Sequence, residues 1–221
     1  VRAVGDAPAE RPVKAFTARD GEAVAVLDED ERLVIARIVA DVGLLLGGED
    51  FGAEHHSGLP HREDLAEALS FLDSLEEALV EPDDPALRRL LPNAAPTDRE
   101  VADEFRRLTQ DELKASKVAR LRRMWDDLRQ ETDDWVVPAS EVMATASALT
   151  DVRLVIASRL GLDSDEAAQE LHEEIQRATE EMEHASAAEA GIDAERLWLG
   201  MLYDALTWLQ ESLVSVRLDQ E

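Results

Sequence analysis

The chain has 221 residues, 45% of them hydrophobic, a length and composition that suit one large domain with a core of its own. Fifty acids against twenty-three bases leave a net charge of −27, a field that repels nucleic acid and anionic membranes and favours basic partners. There is no cysteine, which excludes disulfides, thiolate catalysis and zinc–thiolate sites. The sequence contains no apolar run of membrane-spanning length and no secretory core at Val1–Asp6, so the expectation is a soluble cytoplasmic protein.

Residues 1–11 read as a loose tail, and 12–221 as a single helical domain. Over 12–27, two apolar runs flank Asp20-Gly21, a hairpin signal. Over 28–80 two helices are expected around a Gly-rich loop. Asp28 and Glu31 form a capping box for the first, with Ile35, Ile38, Val42 and Leu45 inward. The loop spans 47–61, and the second helix runs over about 62–80 with Leu65, Leu69, Leu72, Leu75 and Leu79 in register. Residues 85–130 hold the central helices: a short one over 86–91 entered through Pro85, then 98–108 and 110–130. Thr97 with Glu100 and Thr109 with Glu112 make two further capping boxes, and the second of them predicts a tight turn at Leu108-Thr109-Gln110. Asp134–Pro138 reads as a short extended segment.

Over 138–218 lie the C-terminal helices. One ends at Leu160, with Val142, Ala146, Leu149, Val152 or Arg153, and Ile156 in register and Gly161 as its C-cap. A very acidic helix over 163–188 starts at the Asp163–Glu166 box, and a last helix capped by Asp193 runs to about Leu218. That last helix carries two adjacent apolar stripes: Leu199, Leu202, Leu206, Leu209, Leu213 and Val216, and beside it Trp198, Met201, Ala205 and Trp208. A face this wide belongs at the centre of the core, or else part of it forms a homodimer interface; the core is the expectation. The predicted fold class is mainly α, a multi-helix bundle-like domain with a small N-terminal β-hairpin.

Catalytic and metal motifs are weak. His55, His56 and His61 stand among carboxylates in the Gly-rich loop, and Glu181 with His184 matches half of a di-iron helix motif without its second copy. The expectation is no resident metal and no cofactor. There is no Gly-x-Ser-x-Gly elbow, P-loop or dinucleotide fingerprint, and the predicted chain is not an enzyme.

A basic island is the feature closest to function. From Phe105 to Gln130, eight bases stand against four acids. Lys114 and Lys117 fall on the same helical arc as Leu113, Val118, Leu121, Met124, Trp125 and Leu128, where a lysine must snorkel, pair with a buried acid or line a groove. Arg106, Arg107, Lys114, Lys117 and Arg120 are therefore the candidate partner-binding residues. The acidic helix over 163–188 is the internal surface expected to neutralise them if no partner does. The turn at 108–110 also suggests helix-turn-helix geometry, so a protein partner is preferred and DNA is the alternative.

Four stretches resemble an actinobacterial family catalogued as "domain of unknown function 2017": Asp84–Ala94, Glu104–Leu113 leading into Lys117-Val118, Leu149–Leu154 with Arg159-Leu160-Gly161, and Tyr203–Leu213. The likeness runs from the hairpin to the last helix. The resemblance implies a regulatory or accessory protein with no established activity, encoded near the Clp adaptor ClpS or tied to transcriptional responses to oxidative stress. The cysteine sensor proposed for some members has no counterpart here.

Overall fold

The computed structural model describes residues 14–49, 51, 82–95, 97–182 and 193–218. Helices occupy 70% of these residues, beside a small antiparallel sheet. The hairpin pairs β1 (Thr17–Arg19) with β2 (Glu22–Val26). Asp20 and Gly21 sit at φ 53° and 84°, the two successive left-handed residues that a tight hairpin turn demands and that Asp-Gly tolerates. A third strand, β3 (Asp134–Val137), completes the sheet in the order β1-β2-β3, with Ala25 opposite Trp135. The extended segment read at Asp134–Pro138 is this strand. Trp135 is fully buried, its ring 5.0 Å edge-on from Phe16. Arg32 fixes the approach to β3: its buried guanidinium donates to the Gln130 and Thr132 carbonyls.

Helix α1 (Glu29–Leu45) starts at the expected capping box, Glu31 N donating to Asp28 Oδ1 at 2.8 Å and Asp28 N to Glu31 Oε2 at 2.9 Å. Ile35, Val39 and Val42 are buried, while Ile38 and Leu45 are only partly so. Gly43 is a packing requirement, since a Cβ there would lie 2.2 Å from the Phe51 ring. Without one, Phe51 seats on α1 and meets Trp125 edge-on at 5.9 Å. The short helix α2 (Pro85–Leu90) has proline in its first turn and Asp84 as its cap.

The next helix corrects the sequence reading. Residues 98–108 and 110–130 are one continuous helix, α3 (Arg99–Leu128). Thr109 caps nothing: its hydroxyl donates to the Phe105 carbonyl at 2.8 Å, the back-bond a mid-helix threonine makes. No proline or glycine stands at 108–110 to break the ladder. Two caps also move by one residue. Asp98, not Thr97, accepts from Val101 N at 3.1 Å. Ser164, not Asp163, accepts from Ala167 N at 3.2 Å, and Asp163 instead pairs with Arg89.

Helix α4 (Val142–Leu160) is the core of the molecule. Val142, Ala146, Leu149, Val152 and Ile156 are all buried in the expected register, and the helix packs against α1, α2, α3 and the last helix. Gly161 closes it with φ 71°. Helix α5 (Asp165–Met182) packs on α6 (Ala194–Leu218), where Asp193 accepts from Glu195 N and Arg196 N. The first stripe of α6 is core: Leu202, Leu206, Leu209, Leu213 and Val216 are buried. The tail, the helix read over 62–80 and the metal candidates His55, His56, His61 and His184 lie outside the described residues.

Candidate functional site

Helix α3 presents two different faces, one bearing the basic island and one apolar. The island does not open toward solvent as a unit. Arg106 has a largely covered side chain and hydrogen-bonds Asp103 at 2.9 Å. Arg107 forks onto Glu104 at 2.6 and 3.1 Å. The guanidinium holds the Glu104 carboxyl below the usual range, and Glu104 in turn raises Arg107. Lys117 Nζ lies 2.5 Å from Asp151 Oδ1 of α4, with side-chain exposures of only 12% and 4%. Lys114 and Arg120 are half-buried, and Arg120 Nε has no hydrogen-bond partner among the described residues. Further along, Arg123 meets Glu141 of the segment leading into α4 at 3.2 Å, and Arg129 lies 4.3 Å over the Trp125 ring.

The carboxylates facing these bases therefore come from α3 itself and from the start and middle of α4. The expected neutraliser, the acidic helix over 163–188, supplies none of the pairs at Arg106, Arg107 or Lys117 among the described residues. Contacts 117–151 and 123–141 together show why: α3 and α4 run antiparallel, which brings Asp151 to Lys117. Asp151 was a legible signal, a lone acid among Ala148, Leu149 and Val152 on the inward face of α4. Its second oxygen, Oδ2, is buried without a hydrogen-bond partner among the described residues.

The outward face of α3's first half is apolar. Val101, Phe105 and Leu108 are exposed by 54%, 48% and 66%, at the four–three spacing that places them on one stripe. A groove of about 700 Å³ runs along it, walled among the described residues by Glu100, Asp103, Glu104 and Arg107 as well as the three apolar side chains. The turn predicted at 108–110 hid this stripe, since it assigned Leu108 to a loop; read as one helix, the spacing was there. On α6 the second stripe divides: Trp198 and Met201 are exposed, Ala205 and Trp208 half-buried.

The polar groups elsewhere form a structural layer. Between α4 and α6, Arg153 donates to Gln210 at 2.7 Å and Gln210 to Thr150 at 2.7 Å, with Arg153 over the Tyr203 ring. His172 meets Asp204 at 2.9 Å on the exposed side of α5 and α6. Among the described residues no group of three or more histidines and carboxylates is placed to hold a metal ion, and no helix is long and apolar enough to cross a membrane.

One carboxyl is out of balance. Burial pushes Asp127 up, Arg123 opposes this, and Asp126 and Glu141 add to it. A carboxyl whose folded value is raised favours the folded state in acid and loses that contribution as pH climbs through the folded value. Asp127→Asn should therefore raise the unfolding midpoint at pH 7, with the gain vanishing once the pH falls below the ordinary carboxylate range. Thermal melts at the two pH values check it, and an equal effect at both would show that charge is not the cause.

The family model described as "Domain of unknown function (DUF2017)" matches residues 13–217. The chain belongs to this family. No curated protein and no solved structure matches it. In this DUF2017 chain, Asp84–Ala94 caps and forms α2, Leu149–Leu160 is the middle and end of α4 with Leu149, Val152, Ile156 and Leu160 buried, and Tyr203–Leu213 lies within α6. Glu104–Leu113 differs from these three, because it carries the exposed Phe105 and Leu108.

Proposed function

We propose that this DUF2017 chain is a non-enzymatic protein-interaction module whose contact surface is the outer face of α3. The observation that carries the reading is the exposed Val101–Phe105–Leu108 stripe with its groove. Three large apolar side chains at helical spacing in water are the pattern of a partner-binding face rather than of scattered surface residues. Of the five bases first read as a binding set, Arg107 lines this groove, Arg106 and Lys117 face internal carboxylates, and Lys114 and Arg120 are half-buried. The setting of the contact, Clp proteolysis or stress-response transcription, is proposed on the family resemblance alone. A DNA-binding regulator built on helices 98–108 and 110–130 finds no support here, since the two are one helix and three carboxylates stand on the groove wall.

Site-specific photo-cross-linking in the host cell tests the proposal. A photoreactive phenylalanine analogue at Phe105 should trap a discrete protein partner. The same analogue at Leu33, an equally exposed position on α1, should not. If position 105 traps nothing beyond position 33, α3 is not the contact surface.

A further inference from the structure

We infer that the α3 stripe docks an amphipathic helix of a protein partner whose apolar side is flanked by lysines or arginines. This rests on the proposed contact surface and names its ligand. The stripe from Val101 to Leu108 is two helical turns, about 10 Å, long. It matches a helix offering apolar anchors at three- and four-residue spacing. The charge around it selects the flanks. Within residues 98–112 six acids stand against three bases, Arg99, Arg106 and Arg107. All three of those bases already face acids of the same helix, Arg99 and Arg106 at Asp103 and Arg107 at Glu104. Glu100, Asp111 and Glu112 are exposed. The groove wall itself has Glu100, Asp103 and Glu104 against Arg107. Apolar burial supplies affinity at such a face, and the acidic border supplies attraction, register and rejection of acidic helices.

The same charges argue against two occupants of this chain's own sequence. A second copy brings the same acidic border and a net charge of −27. The leucine-bearing stretch 62–80 carries six acids and a single base, Arg62, so its flanks would set carboxylate against carboxylate.

The experiment titrates the full chain against labelled synthetic helical peptides of about five turns. One has leucines at i, i+3, i+4 and i+7 with lysine flanks, one the same leucines with glutamate flanks, and one the lysine composition scrambled to destroy the stripe. The lysine-flanked peptide should bind at least about tenfold tighter than either other, with the margin over the glutamate-flanked one shrinking as salt screens the border. Phe105→Gln with Leu108→Gln should weaken it about tenfold or more at unchanged circular dichroism, and Glu100→Lys with Glu104→Lys should invert the preference for flanks. Equal binding of the scrambled peptide would mean plain attraction to an acidic chain and would overturn the inference. So would indifference to Phe105→Gln and Leu108→Gln. So, too, would a dimer in sedimentation that those two substitutions dissociate, because a second copy would then own the face. If the preference for lysine flanks fails while cross-linking at Phe105 still traps a partner, the ligand chemistry is wrong and the contact surface stands. If both fail, the contact surface falls as well.

Discussion

Replacing Lys117 by methionine should cost about 3–5 kcal/mol, the range for removing one partner of a buried ion pair. Lys117 is the half of the pair that can be removed with little change in shape, since methionine keeps most of its aliphatic stem. What remains is Asp151, 4% exposed at its side chain, with Oδ1 stripped of its ammonium and Oδ2 already without a hydrogen-bond partner among the described residues. Two stranded carboxylate oxygens between α3 and α4 are far more costly than the pair is worth, because the pair's Coulomb gain was offset by the desolvation of both charges. Adding Asp151→Asn to Lys117→Met removes the charge and should recover more than half of the loss. Urea unfolding at pH 7 of the wild type, the single and the double variant measures both quantities. A single-variant loss below about 1 kcal/mol would place the pair in the class of solvated surface contacts, against its burial. Lys114→Met should be close to neutral beside it, since no ion pair at Lys114 is formed with a described residue.

That pair also marks how far a sequence carries. Two lysines on an apolar arc were visible as a conflict that something must resolve. The resolving group was not, since it depends on α3 and α4 lying antiparallel with Lys117 at the height of Asp151. Local signals did well where local physics decides: the Asp28–Glu31 capping box, the left-handed Asp20-Gly21 turn, the αL closure at Gly161 and the register of α4 all stand as read. The break at 108–110 failed for a physical reason. A threonine three residues before a glutamate caps a helix only if the backbone N–H groups that follow it are free to donate to its oxygen; within a continuing helix those groups bond the carbonyls one turn back, and the Thr109 hydroxyl instead donates to the Phe105 carbonyl. Strand β3 was legible as extended but not as the partner of β2, a pairing between distant segments that no periodicity encodes. The candidate site followed the same rule. Charge counting found the basic residues but not the carboxylates they meet, because those pairings depend on how α3 folds as one helix and packs on α4.

Leu209→Ala in α6 should cost about 2–5 kcal/mol, the cost of losing a buried leucine's transfer energy and leaving a cavity. Leu209 is fully buried, as are Leu206 and Leu213 one turn to either side, and the helix packs along α4 and against the sheet. Both neighbours are backbone-anchored, α4 by its own helical ladder and β1 by its pairing with β2, and Phe16, just before β1, donates its N–H to Ser212 Oγ of α6 at 3.0 Å, so the cavity has little freedom to collapse. Trp198 on the second stripe is 46% exposed, and Trp198→Ala should change stability far less. The contrast decides what the wide apolar face of α6 is for. A large loss at Leu209 with a small one at Trp198, and an unchanged sedimentation coefficient for both, makes the first stripe core and leaves the second as ordinary surface. A small loss at Leu209 together with dissociation of a dimer by Trp198→Ala or Met201→Ala would instead make the helix an interface between two copies. Burial favours the first outcome, since an interface helix would leave Leu206, Leu209 and Leu213 open in a single chain, and all three are closed off within it.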